Sequence, residues 1–189
     1  MLAGPHHVDS SELREGIFNL HTRRLGSVAE IIVKRLANLQ WSRDLTHDLY
    51  DPERRERVEV KFSRVLKKST LSVSEATVLE SIGSATSEQR MVRFAEWEAC
   101  RFDCNIQQVK RQEFDVLYYG LFFADAVVVF RIRSNEIGPD IYYSDLQHRG
   151  NIGEGQFHVN NDTLAVHLAR YLYRKLTYEE LLRLLSPRS

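Results

Sequence analysis

The sequence has only two cysteines in 189 residues, no long apolar run and no excess of either charge. Cys100 and Cys104 lie four positions apart with no further ligands at zinc spacing, which favours two free thiols over a metal pair. No apolar run approaches the ~20 residues that span a bilayer. Residues 1–11 lack the apolar core of a secretory signal. We therefore expect a cytoplasmic protein without membrane partners.

The charge balance limits how the chain could bind DNA. Lys and Arg together number 26, as do Asp and Glu, so the formal net charge at pH 7 is zero. A protein that binds DNA mainly through counterion release is usually basic on at least one face. Either the positive charge is segregated onto one surface, or another molecule provides most of the binding.

Several familiar catalytic motifs are also missing. The glycine-containing region 144–161 has no Gly-Lys-Ser/Thr end, so it is not a phosphate-binding P-loop. No Gly-x-Ser-x-Gly nucleophile elbow occurs, and neither cysteine has a recognisable catalytic setting. The spacing of His148 and His158 matches neither an HNH nuclease nor a zinc site.

The length fits a single domain over residues 1–189, with a loose leader at 1–9. An amphipathic helical stripe begins near Ser10, and Gly26 is a possible break within it. Two β-like runs follow, at 44–51 and 57–65, around a charged turn.

The second half of the chain mixes both patterns. Residues 101–109 alternate like a strand, residues 114–118 suggest helical turns, and the apolar run 126–132 predicts a buried central strand. Residues 144–161 predict a polar loop, and residues 162–185 predict two C-terminal helices.

The most informative run is Val-Glu-Val-Lys-Phe, in which Glu59 and Lys61 share one strand face because side chains alternate with period two. If Asp51 pairs with Glu56 across a four-residue turn, then Asp48 lies directly opposite Glu59. Directly opposed residues have Cβ atoms ~5 Å apart. The hairpin therefore predicts two carboxylates and a lysine at one place.

Two carboxylates at that separation repel each other unless a divalent cation lies between them. Mg²⁺ accepts one or two carboxylates together with water and phosphate oxygens. Lys61 could then orient or deprotonate an attacking water, or balance the charge of the reacting phosphate. The alternative interpretation is an amphipathic hairpin with an exposed Glu–Lys face.

Two other acids compete for roles in this site. Asp51 precedes Pro52, and Asp-Pro typically opens a turn, so we assign Asp51 to turn chemistry. Glu30 lies on the preceding helix and could lean into the site. It could equally complete a helix cap that begins at Ser27.

Asp48 followed by Glu59-Val60-Lys61 resembles the core of the PD-(D/E)xK nucleases, in the form common among type II restriction endonucleases. In that family the preceding helix often supplies a glutamate, as Glu30 would. His47 stands where the motif has its proline. The resemblance covers residues 20–135 and, less closely, 145–185.

The resemblance implies an α/β fold with a restriction-endonuclease-like mixed central β-sheet flanked by helices. It also implies cleavage of double-stranded DNA with Mg²⁺, for which Mn²⁺ can substitute. The short, neutral chain has no separate recognition domain, which is similar to the small cleavage subunits of heterodimeric type IIS enzymes with a larger recognition subunit. The alternatives are a homodimeric type II enzyme, and a non-catalytic DNA-binding or assembly module.

Polar side chains in the predicted loop are candidates for DNA contact. Arginine can recognise guanine, and asparagine or glutamine can recognise adenine, although an ordinary polar loop would look the same. On the strand before it, only one of Gln107 and Gln108 can face the site. The candidate DNA-binding residues are His148, Arg149, Asn151, Gln156 and His158.

Overall fold

The computed structural model describes residues 8–69, 71–146 and 152–187. In this part of the chain a six-stranded mixed sheet carries helices on one face and a three-stranded sheet with one helix on the other. The expected α/β class and the mixed sheet flanked by helices are therefore confirmed. None of the helices in these residues combines the length and apolarity needed to cross a membrane.

The main sheet is antiparallel except for one parallel pair of strands at its centre, Glu56–Arg64 and Val116–Phe122. Its strands, in spatial order, are β1 (Gln40–Trp41), β2 (Leu49–Asp51), β3 (Glu56–Arg64), β5 (Val116–Phe122), β6 (Val127–Arg133) and β9 (Leu172–Leu176). The smaller sheet has the order β4 (Asp103–Val109), β8 (Ile152–Asn160) and β7 (Ser144–Leu146).

The first and last helices have strong sequence signals at their starts. Asp9 caps the first helix through a capping box, and Thr177 does the same for the last, as its spacing predicts. The α-helices of the described residues are α1 (Ser10–Asn19), α2 (Thr22–Leu36), α3 (Val78–Gly83), α4 (Ser87–Arg90), α5 (Leu164–Tyr171) and α6 (Tyr178–Leu185). Short 3₁₀ turns occur at Phe94–Ala99, Ser134–Glu136 and Pro139–Ile141.

Two apolar cores lie on opposite faces of the main sheet. Even-numbered residues of β3, such as Val58 and Val60, pack against α1, α2 and α6. Residues of β5 and β6 that point the other way pack against β4, β8 and α5. Odd-numbered residues of β3 therefore face the side of the smaller sheet.

The helical turns predicted at 114–118 are wrong, because this segment enters β5, all seven residues of which are buried. A strand buried on both faces is apolar at nearly every position. Such a run also contains the spacing of three and four residues that is typical of a helix. The buried strand predicted at 126–132 is confirmed as β6, which lies in the interior of the sheet.

The polar loop predicted at 144–161 is also wrong in its described parts, which form β7 and most of β8. Phe157 and Val159 enter the core from β8, while its alternate residues stay at the surface. Within the predicted C-terminal helices, residues 172–176 form the edge strand β9, which separates α5 from α6. The first four residues of β9 are exposed, so its sequence lacks the alternation of apolar and polar residues that marks a half-buried strand.

Candidate active site

The β2–β3 hairpin has the predicted register. Asp51 pairs with Glu56, and Leu49 pairs with Val58. Asp48 precedes β2 and does not extend the ladder as a simple partner of Glu59. Its N–H instead donates to the Val58 carbonyl at 3.1 Å, and its carboxylate accepts the Val60 N–H at 2.9 Å. The backbone of β3 thus fixes the Asp48 carboxylate beside the strand.

Glu59 and Lys61 lie on the same face of β3, as the alternation predicts. Their side chains are 12% and 25% exposed, and the Lys61 ammonium donates to the Glu59 carboxylate. Burial raises the pKa of Glu59, Lys61 lowers it and Asp48 raises it, with a result of about 7. Near neutral pH the carboxyl of Glu59 is therefore poised between its two protonation states.

Glu30 lies near this site and is not part of a helix cap. Helix α2 runs without interruption from Thr22, with His21 at its N-cap, so the proposed start at Ser27 is wrong. Burial raises the pKa of Glu30, Asp48 raises it further and Lys61 lowers it. The carboxylate consequently lies within electrostatic reach of both hairpin residues.

Asp48, Glu59 and Lys61 meet in an open cleft of about 210 Å³, which Glu30 does not line. A bulge in β4 shapes one wall, since the register shifts between Ile106 and Val109 and Gln108 has a φ of 57°. Gln108 rather than Gln107 lines the cleft, which decides between the two glutamines. The lining residues are Leu45, Thr46, His47, Asp48, Glu59, Lys61, Gln108, Lys110, Glu113 and Glu154.

Three charged residues of this wall were not predicted from the sequence. Lys110 follows β4, and its ammonium lies 3.6 Å from a carboxylate oxygen of Glu113 and 3.6 Å from one of Glu154. Glu113 also contributes to the raised pKa of Glu59. The bulge and the pairing of β4 with β8 create this juxtaposition, and neither feature was visible in the sequence.

The cleft carries more carboxylates than ammonium groups. Its acids are Asp48, Glu59, Glu113 and Glu154, whereas Lys61 and Lys110 are its lysines. A phosphodiester would be repelled by such a surface unless a cation compensated for the charge. An anionic ligand would therefore need an accompanying cation to enter the cleft.

Hard oxygen donors of this kind suit Mg²⁺. Asp48 and Glu59 provide the one or two carboxylates that Mg²⁺ takes from protein, with water completing its shell. Among the described residues, no group of three or more His, Cys, Asp and Glu side chains is arranged to hold a metal ion. An ion held by Asp48 and Glu59 would therefore take the rest of its ligands from water.

Asp51 has the structural role that its sequence predicts. The residue is 6% exposed, and its carboxylate accepts the N–H groups of Glu53 and Arg54 at 2.9 and 3.0 Å. Burial by itself would raise the pKa of Asp51. The hydrogen bonds and the charge of Arg54 outweigh burial and hold this pKa below its usual range. Asp51 therefore stabilises the hairpin turn.

The predicted DNA-binding residues do not form one described loop. Gln156 and His158 lie on the outer face of β8, where they contact Asn105 at 2.9 Å and Asp103 at 2.7 Å. Glu154 of the same strand lines the cleft, so this face is continuous with it. His148, Arg149 and Asn151 lie outside the described residues.

Comparisons of this chain with family models, curated proteins and solved structures found no match.

Proposed function

We propose that this chain is a Mg²⁺-dependent DNA endonuclease with a restriction-endonuclease-like fold of the PD-(D/E)xK type. The observation that carries the proposal is the meeting of Asp48, Glu59 and Lys61 in one cleft, with Glu30 within electrostatic reach. An isolated Glu-x-Lys sequence is common, but this convergence includes residues from a helix, a loop and a strand. Burial of these charges is difficult to explain by stability alone.

Each side chain has a distinct role in this proposal. Asp48 and Glu59 would hold Mg²⁺, which when bound polarises a phosphate and lowers the pKa of its water. Lys61 would orient the attacking water and balance the negative charge that develops on the phosphate. Glu30 would assist by adding negative charge next to the metal ligands.

The assembly follows from the number of sites. One cleft of this kind cuts one strand, so a double-strand break requires either a second copy of this chain or another nuclease subunit. The acidic cleft and the zero net charge favour a small subunit of a type IIS enzyme, whose larger partner recognises the DNA. A homodimeric enzyme would bind its own specific site without help, which an electrophoretic mobility shift with the purified chain would detect.

Cleavage of supercoiled plasmid tests the chemistry directly. With Mg²⁺ or Mn²⁺, we expect the chain to produce open circles, and with its larger subunit to produce linear DNA. Lys61→Ala should abolish both products, whereas Lys175→Ala, at an exposed lysine of the far edge strand β9, should not. Intact plasmid under all conditions, or cleavage that persists in Lys61→Ala, would leave a non-catalytic DNA-binding or assembly module as the better interpretation.

A further inference from the structure

A second groove, of about 370 Å³, adjoins the acidic cleft. His47 lines both, so the two are neighbours. The groove lies at the end of the main sheet formed by β1 and β2. Its lining residues are Gln40, Trp41, Ser42, Arg43, Asp44, His47, Tyr50 and Arg57.

Trp41 is the unusual feature of this groove. It is 49% exposed on the two-residue edge strand β1, where it pairs with Leu49. The Lys34 ammonium lies 5.8 Å from the ring centroid, within the range of a cation–π contact. Trp97, the other tryptophan, packs against the core instead. The exposed indole thus contributes little to folding and is available as a flat, rigid surface for a ligand.

Cations outnumber acids around Trp41. The Lys34 ammonium lies over its ring, Arg43 and Arg57 line the groove, and Asp44 is the acid of the lining. Arg57 is paired with Asp115 at 3.0 Å, whereas Asp44 keeps its negative charge, because the N–H of Thr46 that its carboxylate accepts at 3.1 Å lowers its pKa. Lys34 and Arg43 together therefore exceed the charge of Asp44 by one, which leaves the groove weakly positive.

We infer that this groove binds a single-stranded nucleotide next to the cleft, with its base stacked on Trp41 and its phosphate near Arg43. The inference rests on the proposed function, and it adds that the substrate is unpaired beside the cut. A flat aromatic ring combined with cations is the usual arrangement for binding single strands without sequence preference. A second copy of the chain, paired along β1, would use the backbone of that edge and would give Arg43 no anion to bind.

Tryptophan fluorescence in EDTA provides the test, since no cleavage occurs without metal. Trp97→Phe makes Trp41 the remaining tryptophan, and we expect oligothymidylate to quench its fluorescence.

Labelled oligothymidylate should bind Trp41→Ala about tenfold more weakly or worse, and Trp41→Phe nearly as well as the parent. Arg43→Gln should reduce the slope of log affinity against log salt by about 0.7. Tyr142→Asn is the matched control, because Tyr142 is an exposed aromatic whose left-handed φ of 55° suits asparagine.

The outcomes separate this inference from the nuclease proposal. Absence of quenching, or equal affinity of Trp41→Ala and the parent, overturns the groove as a nucleotide site. Loss of a dimer on sedimentation of Trp41→Ala, without quenching by oligothymidylate, would also overturn it in favour of self-association. Trp41-dependent binding by a chain that never cuts plasmid would support the groove and refute the nuclease proposal.

Discussion

Binding of Mg²⁺ to the cleft should release protons, and the pKa of Glu59 sets how many are released at a given pH. Burial is the main reason that the pKa of this carboxyl is about 7, and Asp48 adds to the increase. At pH 7 about half of the molecules therefore carry a proton on Glu59. A metal ion requires the ionised carboxylate, so its binding must displace that proton.

The expected magnitude follows from this pKa. Proton release should be about 0.9 per site near pH 6, about 0.5 near pH 7 and about 0.1 near pH 8. The same competition should weaken the apparent Mg²⁺ affinity about tenfold between pH 8 and pH 6, or by about 1.4 kcal/mol. Above pH 8 the affinity should hardly change, because Glu59 is already ionised.

Isothermal titration calorimetry measures this release from the dependence of the apparent enthalpy on the ionisation enthalpy of the buffer. Asp48→Asn should release fewer protons near pH 7, since the charge that raises the pKa of Glu59 is removed. Glu59→Gln should release none through this group. If the parent releases no protons near pH 6, or Glu59→Gln releases as many as the parent, the assignment of Glu59 as a buried metal ligand is refuted.

Three further predictions concern stability. Asp48→Ala should lower the unfolding free energy by about 1–3 kcal/mol because the Val60 N–H loses its acceptor, whereas Asp48→Asn retains an oxygen acceptor, as urea unfolding would show. His167 is fully buried, and burial lowers its pKa from 6.5 to about 4. The unfolded chain therefore binds the proton first, and stability should fall by about 3 kcal/mol as the pH decreases from about 7 to about 4, less so in His167→Gln. Gly120→Ala should destabilise the chain by about 1–3 kcal/mol in thermal unfolding, since a Cβ would come within 2.2 Å of Phe62.

Each of these stability predictions has a contrary result. Equal unfolding free energies for the alanine and asparagine variants at position 48 would mean that the Val60 hydrogen bond contributes nothing. A pH dependence unchanged in His167→Gln would assign the acid sensitivity to other groups. An unaltered melting temperature for Gly120→Ala would mean that Phe62 moves aside without loss of packing.

The parts of the fold that were predicted correctly depend on local rules. The turn at Asp51, the alternation of β3 and the capping box at Thr177 need only neighbouring residues, and all three are confirmed. The register of the hairpin followed from its turn length and brought Asp48 near Glu59.

The parts that were missed depend on partners distant in sequence. Residues 114–118 form a strand because both faces of β5 are covered, a condition that no local pattern reveals. Lys110, Glu113 and Glu154 reached the cleft through the β4 bulge and the pairing of β4 with β8. The helix cap proposed at Ser27 was wrong because α2 continues through Gly26, and no local pattern shows that Glu30 comes near Asp48 and Lys61.

The chain has zero net charge, but two neighbouring surfaces differ in their local charge. The cleft has an excess of carboxylates, whereas Lys34 and Arg43 outnumber Asp44 around Trp41. A nucleic-acid strand could therefore bind in the groove through stacking and charge while its next phosphate enters an acidic cleft that accepts it only with a cation. Because so few phosphates would be neutralised, binding should be weak, which is the physical reason to expect a larger DNA-binding subunit.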